Sequence, residues 1–266
     1  MDALSRSGFL AVSTVALLAL FPHGAKHDSL LEGIPTGKTR VLDLSYPISD
    51  KMVPWPGDER AFEAKNNATF EKNGYFSRSF WMLEHYGTHL DAPAHFARGK
   101  STVDQIPTKQ LFGPAVVVDV RAEAEKDADY LLPVERVNEW EKRHGRIHEG
   151  AIVLLRTGWA SRWPDVRKYP NQDAQGKMHF PGFSVEAAKL LLERKVSGLG
   201  CDTLSIDYGA STDYAVHHLA LSAGLYHLEN LTDLSELPES GAFLVVAPIK
   251  LQGGSGGAVR VFALFR

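Results

Sequence analysis

The chain has little of several things that would narrow its use. It has one cysteine, Cys201, in 266 residues, so no disulfide can form within it. In the apolar setting GLGCDTL that residue reads as a small buried side chain rather than a nucleophile. An excess of one charge is missing too: 29 Lys and Arg stand against 32 Asp and Glu, a formal net charge of −3. With no basic run, there are no electrostatic grounds for nucleic acid or an anionic membrane as a partner. Beyond residue 35 there is no internal repeat, low-complexity tract or long linker, so a single domain is expected over residues 38–266. At 44% hydrophobic residues, a chain of this length buries a sizeable core without staples.

One apolar run stands out, GFLAVSTVALLALF at residues 8–21, preceded by Arg6 and followed by Pro22 and Gly24. It is short for a membrane span and suits a signal-peptide core. Residues 1–25 are therefore expected to be a leader. The protein would then be secreted or periplasmic, with no stable membrane insertion once the leader is removed; a buried N-terminal helix in a cytoplasmic protein is the alternative. Asn67 to Thr69 forms a glycosylation acceptor only in an exported eukaryotic chain.

The segments TRVLDLSYPI, GPAVVVDVR, GAIVLLRTG, VSGLGCDTLSID and SGAFLVVAPIKL are short β-rich runs bounded by Gly and Pro. They suit strands buried on both faces. PVERVNEWEKRH and SVEAAKLLLERK have helical spacing, the second with an apolar stripe of Val185, Ala188, Leu191 and Leu192. Strands dominate and few helices intervene, which predicts an α/β domain with a mixed sheet. QGGSGGAVR lacks the spacing of a phosphate loop and reads as a tight connection between strands.

The chemistry concentrates in HYGTHLDAPAHF, residues 85–96. His85, His89, Asp91 and His95 fall on odd positions, so an extended chain puts them on one face. Gly87 and Pro93 disfavour a helix. A straight strand would separate His85 and His89 by roughly 13 Å at its usual rise, too far to share an ion. The chain must therefore bend between them, with Gly87 supplying the freedom and Thr88 bonding its neighbours in the turn. Two imidazoles and a carboxylate suit zinc or manganese and leave coordination positions open for chemistry. A second cluster lies in YAVHHLALSAGLYHLEN, with His217, His218, His227 and Glu229 among apolar neighbours. Residues 216–223 read as a short helix and GLYHLEN as a strand that places Leu225, His227 and Glu229 on one face. A buried Glu229 needs a cation or a hydrogen-bond partner.

The run His85-Tyr-Gly-Thr-His89-Leu-Asp91-Ala-Pro-Ala-His95 resembles the HxGTHxDxPxH signature of the cyclase family of metal-dependent hydrolases, which includes bacterial kynurenine formamidases and isatin hydrolases. VLDLSYPI, VPWPGD, GLGCDTLSIDYG, VHHLALSAGLYHLENL and IKLQGGSGGAVRVFAL extend the likeness through most of the chain after residue 38. The resemblance implies a swivelling β/β/α fold, with mixed sheets forming a barrel-like core flanked by helices. It implies one or two divalent ions, Zn or Mn, held by His85, His89, Asp91, His217 and Glu229, the last two matching a His and a Glu twelve residues apart. In two-ion members Asp91 and Glu229 would bridge, with His85 and His89 on one ion and His217 on the other. His95 takes the place of the proton-transfer residue, a role its ordinary pKa of about 6.5 suits. His218 and His227 would be structural. Trp55, in the rigid WPGD turn, would line the substrate mouth, with Tyr214 and Tyr75 as weaker candidates.

The implied reaction is hydrolysis of a small aromatic amide, first of all the arylformamidase cleavage of N-formylkynurenine in tryptophan catabolism. Ring opening of a cyclic amide such as isatin is the alternative, and a non-catalytic metal- or ligand-binding protein is a third reading. An amino-acid head group would need charged partners, for which Arg78 and Asp213 are available. A homodimer is expected.

Overall fold

A computed structural model describes residues 30–58 and 60–266; the leader expected at 1–25 lies outside them. Twelve strands follow in chain order: β1 (Arg40–Asp43), β2 (Phe62–Ala68), β3 (Ser77–Met82), β4 (His89–Asp91), β5 (Phe112–Asp119), β6 (Leu131–Leu132), β7 (Ile152–Arg156), β8 (Gly182–Phe183), β9 (Gly198–Cys201), β10 (Tyr226–Glu229), β11 (Phe243–Pro248) and β12 (Gly256–Phe265). The main sheet has the order β1-β12-β11-β5-β7-β9-β10-β4, and β4 pairs back onto β12. Seven strands thus close into a ring, with β1 laid along the outer part of β12. The ring is mixed: β5, β7, β9 and β10 run parallel, and the remaining pairings are antiparallel. This is the α/β barrel-like architecture expected from the sequence.

Closure depends on the length of β12. Its first residues, Gly256 to Ala258, pair with β4, and Val259 to Phe265 run between β11 and β1. A strand that changes partner along its length removes the sheet edge that a shorter one would leave open.

The apolar runs of β5, β7 and β9 have cover on both sides. Val117, Leu154, Leu244 and Val261 fill the ring, while Val116, Val153, Leu199 and Cys201 face outward against helices. Cys201 is the small buried side chain its sequence setting predicted. Helix Val134–His144 packs there through Val137 and Trp140, and helix Val185–Glu193 through Ala187, Ala188 and Leu191. The Ser184 hydroxyl caps the second by accepting from the Ala187 N–H at 3.0 Å. Helix Ala215–Ser222 is the third of eight residues or more among those described. Arg156, at the end of β7, is buried and donates to the Leu234 and Leu237 carbonyls and to Asp119, tying the loop after β10 to the barrel.

No described helix is long and apolar enough to cross a membrane. Because the ring is filled, removing a lumen side chain should leave a void. Leu154→Ala is expected to cost about 2–5 kcal/mol, read as a lower urea midpoint at unchanged slope.

Candidate metal centre

The site begins at the bend the motif requires. Gly87 sits at φ +65°, a left-handed conformation that glycine adopts without a Cβ penalty, and a Cβ there would collide with the Met52 side chain. The bend brings the His85 ring edge-on to that of His89, with 5.2 Å between centroids. Thr88 does not bond its chain neighbours as expected. Its Oγ1 donates to the Asn230 carbonyl at 2.6 Å and accepts from the Tyr46 N–H at 2.9 Å, because two distant segments present buried backbone groups that need partners there.

Strand register assembles the rest. Antiparallel β4 and β10 pair His89 with Glu229 and Asp91 with His227. Directly opposed residues project to the same side of the sheet. The two cross-strand pairs therefore form one block on the outer wall, while Leu90 and Leu228 point into the ring. His217 closes the block from helix Ala215–Ser222. Asp207 caps that helix, accepting from the Val216 and His217 N–H groups at 2.9 and 3.0 Å. His95 stands on the 3₁₀ turn Pro93–His95, its ring stacked on His85 at 3.9 Å between centroids.

Each of the three imidazoles is held from behind. His89 Nδ1–H donates to the Gly87 carbonyl at 2.9 Å, and His217 Nδ1–H to Asp207 at 2.6 Å. The Ser255 hydroxyl donates to Glu84 at 2.6 Å, so its oxygen is left to accept from His85 Nε2–H at 2.9 Å. Those bonds leave His85 Nδ1, His89 Nε2 and His217 Nε2 as the lone-pair nitrogens, and all three face the carboxylates. Asp91 Oδ1 lies 2.6 Å from His85 Nδ1 and 3.2 Å from His89 Nε2, and Glu229 Oε2 is 3.4 Å from His89 Nε2. On the other side, Asp91 Oδ2 and Glu229 Oε1 are each 3.3 Å from His217 Nε2. Each carboxylate thus presents one oxygen to the His85/His89 side and one to the His217 side. Gly256 lets this happen, since a Cβ there would strike the Leu90 carbonyl and the His85 ring.

The electrostatics ask for a cation. Burial and the neighbouring Asp91 push the Glu229 carboxyl up, but hydrogen bonds from His217 and His89 hold it at about 2. Burial likewise pushes Asp91 up, and His85, His89 and His217 hold it well below the usual range. Burial lowers His89, yet Asp91 and Glu229 reverse this and raise it to about 10. His217 rises for the same reason, with Asp207 contributing most against burial. Two buried carboxylates thus draw protons onto imidazoles whose backing bonds suit them as neutral ligands. A divalent ion meets the same demand, and the donor set of imidazole and carboxylate suits a borderline one. Burial, opposed by Asp91, takes His95 down to about 4 and keeps it neutral.

The cluster floors a cavity of about 340 Å³, within the range of small-molecule sites. Its walls include Val53, Trp55, Leu83, Phe96, Leu204 and Tyr214. Trp55 is presented by the expected turn, closed by the Asp58 N–H donating to the Trp55 carbonyl at 3.0 Å. The structure brings together His85, His89, Asp91, His95, His217 and Glu229, with Trp55 and Tyr214 on the walls. It leaves Tyr75 and Arg78 exposed on and beside β3, and Asp213 bonded to Ser211, away from the cavity lining. His218 is exposed against Phe96, whereas His227 lies inside the block. Glu84, Ser255, Asp207 and Asn230 were missed. Their only signals were adjacency to a ligand for Glu84 and Asn230, and a place in the conspicuous runs QGGSGGAVR and SIDYG for Ser255 and Asp207.

Fold and site together define a class: an α/β barrel whose wall carries a buried His/Asp/Glu group able to bind a metal, beside a cavity sized for a small molecule. The chain belongs to the cyclase family, whose model matches residues 42–208. It is 32% identical to an isatin hydrolase of Roseibium aggregatum over 85% of this chain and 89% of that one. It is 29% identical to a kynurenine formamidase of Salinibacter ruber, covering 83% and 95%. Among solved structures, isatin hydrolase A from Ralstonia solanacearum is similar at TM-score 0.83 and 34% identity, covering 96% and 100%. A potential metal-dependent hydrolase with cyclase activity is similar at TM-score 0.66 and 26% identity, covering 86% and 98%. These relatives support an amide-hydrolysing enzyme.

Asp207→Ala is expected to weaken metal binding by about 10–100-fold, the scale for a partner behind a ligand, as measured by calorimetric titration. Metal-free protein should melt below the loaded form, since an ion held only by the folded chain adds about 2.7 kcal/mol at a hundred times its Kd. Equal melting temperatures would count against the metal centre.

Proposed function

We propose that the chain is a metal-dependent hydrolase that opens a small, neutral aromatic cyclic amide of the isatin type. The observation that carries this is the cavity wall: no lysine or arginine lines it among the described residues, and Asp58 is its one charged group outside the cluster. A substrate with a free carboxylate would find no cation there apart from the bound metal. A flat, uncharged ring finds Trp55, Phe96, Leu204 and Tyr214. The similarity to isatin hydrolases at 32–34% identity supports the same reading.

His85, His89, Asp91, His217 and Glu229 would hold the ion, Zn or Mn. When bound, it supplies a Lewis acid for the amide carbonyl and lowers the pKa of water. His95 lines the cavity beside His85, placed to take the proton of the attacking water and return it to the nitrogen as the ring C–N bond breaks. The product is the ring-opened amino carboxylate. Trp55 and Tyr214 would orient the ring. Export rests on the apolar run at 8–21, and a homodimer on the exposed Phe76, Phe80 and Trp81 of the β2–β3 hairpin.

The arylformamidase reading has one observation in its favour besides the formamidase relatives. Asp58 could receive the ammonium of N-formylkynurenine, although that substrate's carboxylate would have no side-chain partner.

The test is hydrolysis by metal-reconstituted protein, offered isatin and N-formylkynurenine separately. Isatin turnover is expected, reduced about 10²–10⁴-fold by His95→Ala. Turnover of the formamide alone would establish the second reading. Turnover of neither would remove both.

A further inference from the structure

His227 has no role in the ligand set above, and its surroundings are those of a ligand. It is fully buried, and neither ring nitrogen has a hydrogen-bond partner. A buried imidazole without a partner is costly. The nitrogen that could be relieved points at the cluster: His227 Nδ1 lies 3.8 Å from Asp91 Oδ2, and its ring stands edge-on to His217 at 4.7 Å between centroids. Ligand atoms of Asp91, His217, His227 and Glu229 all lie within 4.8 Å of one another. The position follows from the strand. His227 is two residues before Glu229 and directly opposite Asp91, so both strand period and register put it on the ligand face.

The donors then divide evenly. On one side His85 Nδ1 and His89 Nε2 stand with Asp91 Oδ1 and Glu229 Oε2. On the other, His217 Nε2 stands with Asp91 Oδ2 and Glu229 Oε1, one nitrogen short of the first set. His227 Nδ1 supplies it. We propose that His227 is a further ligand of the ion that His217 would hold with Asp91 and Glu229, a donor beyond the five that the family resemblance implies. The proposal rests on the metal-dependent reading of the site but not on the identity of the substrate.

The test is titration of the metal-free full chain with Mn²⁺, followed by calorimetry and by electron paramagnetic resonance for a spin-coupled pair. Wild type is expected to take up two equivalents at the centre and show the coupled signal. His227→Phe, which keeps the ring volume, should lose the coupled signal and weaken the second equivalent at least about tenfold, no less than loss of an outer-shell partner does. His227→Asn, which returns a polar atom near the Nδ1 position, should restore part of it and serves if the Phe variant does not fold. Any Mn²⁺ bound by His23 or His27, outside the described residues, is common to all the variants and cancels. One equivalent in wild type would overturn the proposal and leave a one-ion hydrolase standing; two equivalents with an unchanged coupled signal in a folded His227→Phe would overturn it and leave a two-ion centre that His227 does not serve. No binding at all would remove the metal reading with it.

Discussion

Two ionised carboxylates buried side by side are the constraint around which this structure is organised. Asp91 and Glu229 are almost without solvent contact, and isolated charges in such a place are costly unless a cation or a dense set of hydrogen bonds meets them. The chain provides three imidazoles turned nitrogen-first toward them. Each imidazole is fixed in that orientation by an acceptor behind it: Ser255, the Gly87 carbonyl or Asp207. Remove the positive charge at the centre and the cluster must find it elsewhere, which is why His89 and His217 bind protons so tightly.

The barrel explains why the cluster is on the wall rather than inside. The lumen is filled by Leu, Val and Tyr side chains, and β4 and β10 turn their even-numbered residues toward it. Their odd-numbered residues must then face outward, where helix Ala215–Ser222 and the turn carrying His95 cover them. Ring closure and ligand orientation are also linked. The pairing of Gly256 to Ala258 with β4 both seals the barrel and brings Ser255 behind His85. The glycine at 256 is needed for the first and makes room for the second.

The local half of this was legible in the sequence. The odd spacing of His85, His89, Asp91 and His95, the bend demanded at Gly87 and the strand face shared by His227 and Glu229 are consequences of a two-residue period and one left-handed residue. The apolar runs of β5, β7 and β9 likewise announce strands covered on both faces. What could not be read is whatever depends on register between distant segments. No local pattern pairs Asp91 with His227, places Ser255 beside His85 across 170 residues or turns Thr88 toward Asn230 instead of its neighbours. The helical spacing near His217 and His218 shows a helix but not which histidine it turns inward; Asp207, capping that helix and bonding His217, decides it.

Charge balance links the ligand set to substrate choice. Asp91 and Glu229 contribute two negative charges, so one divalent ion leaves the centre neutral and two leave it positive. Among the described residues the cavity wall adds one charged group, Asp58, and no lysine or arginine. An anionic group would then depend for attraction on whatever ions the cluster holds, whose number would be governed by the donors that face them. On the proposed function, an uncharged aromatic amide would need no such attraction and would be held by the apolar wall, while the carboxylate released by its opening would meet a centre whose net charge depends on that same number. In that reaction the donors on the outer face of β4 and β10 would act at both ends, through the carbonyl that the ion they hold would polarise and through the charge the product would leave behind.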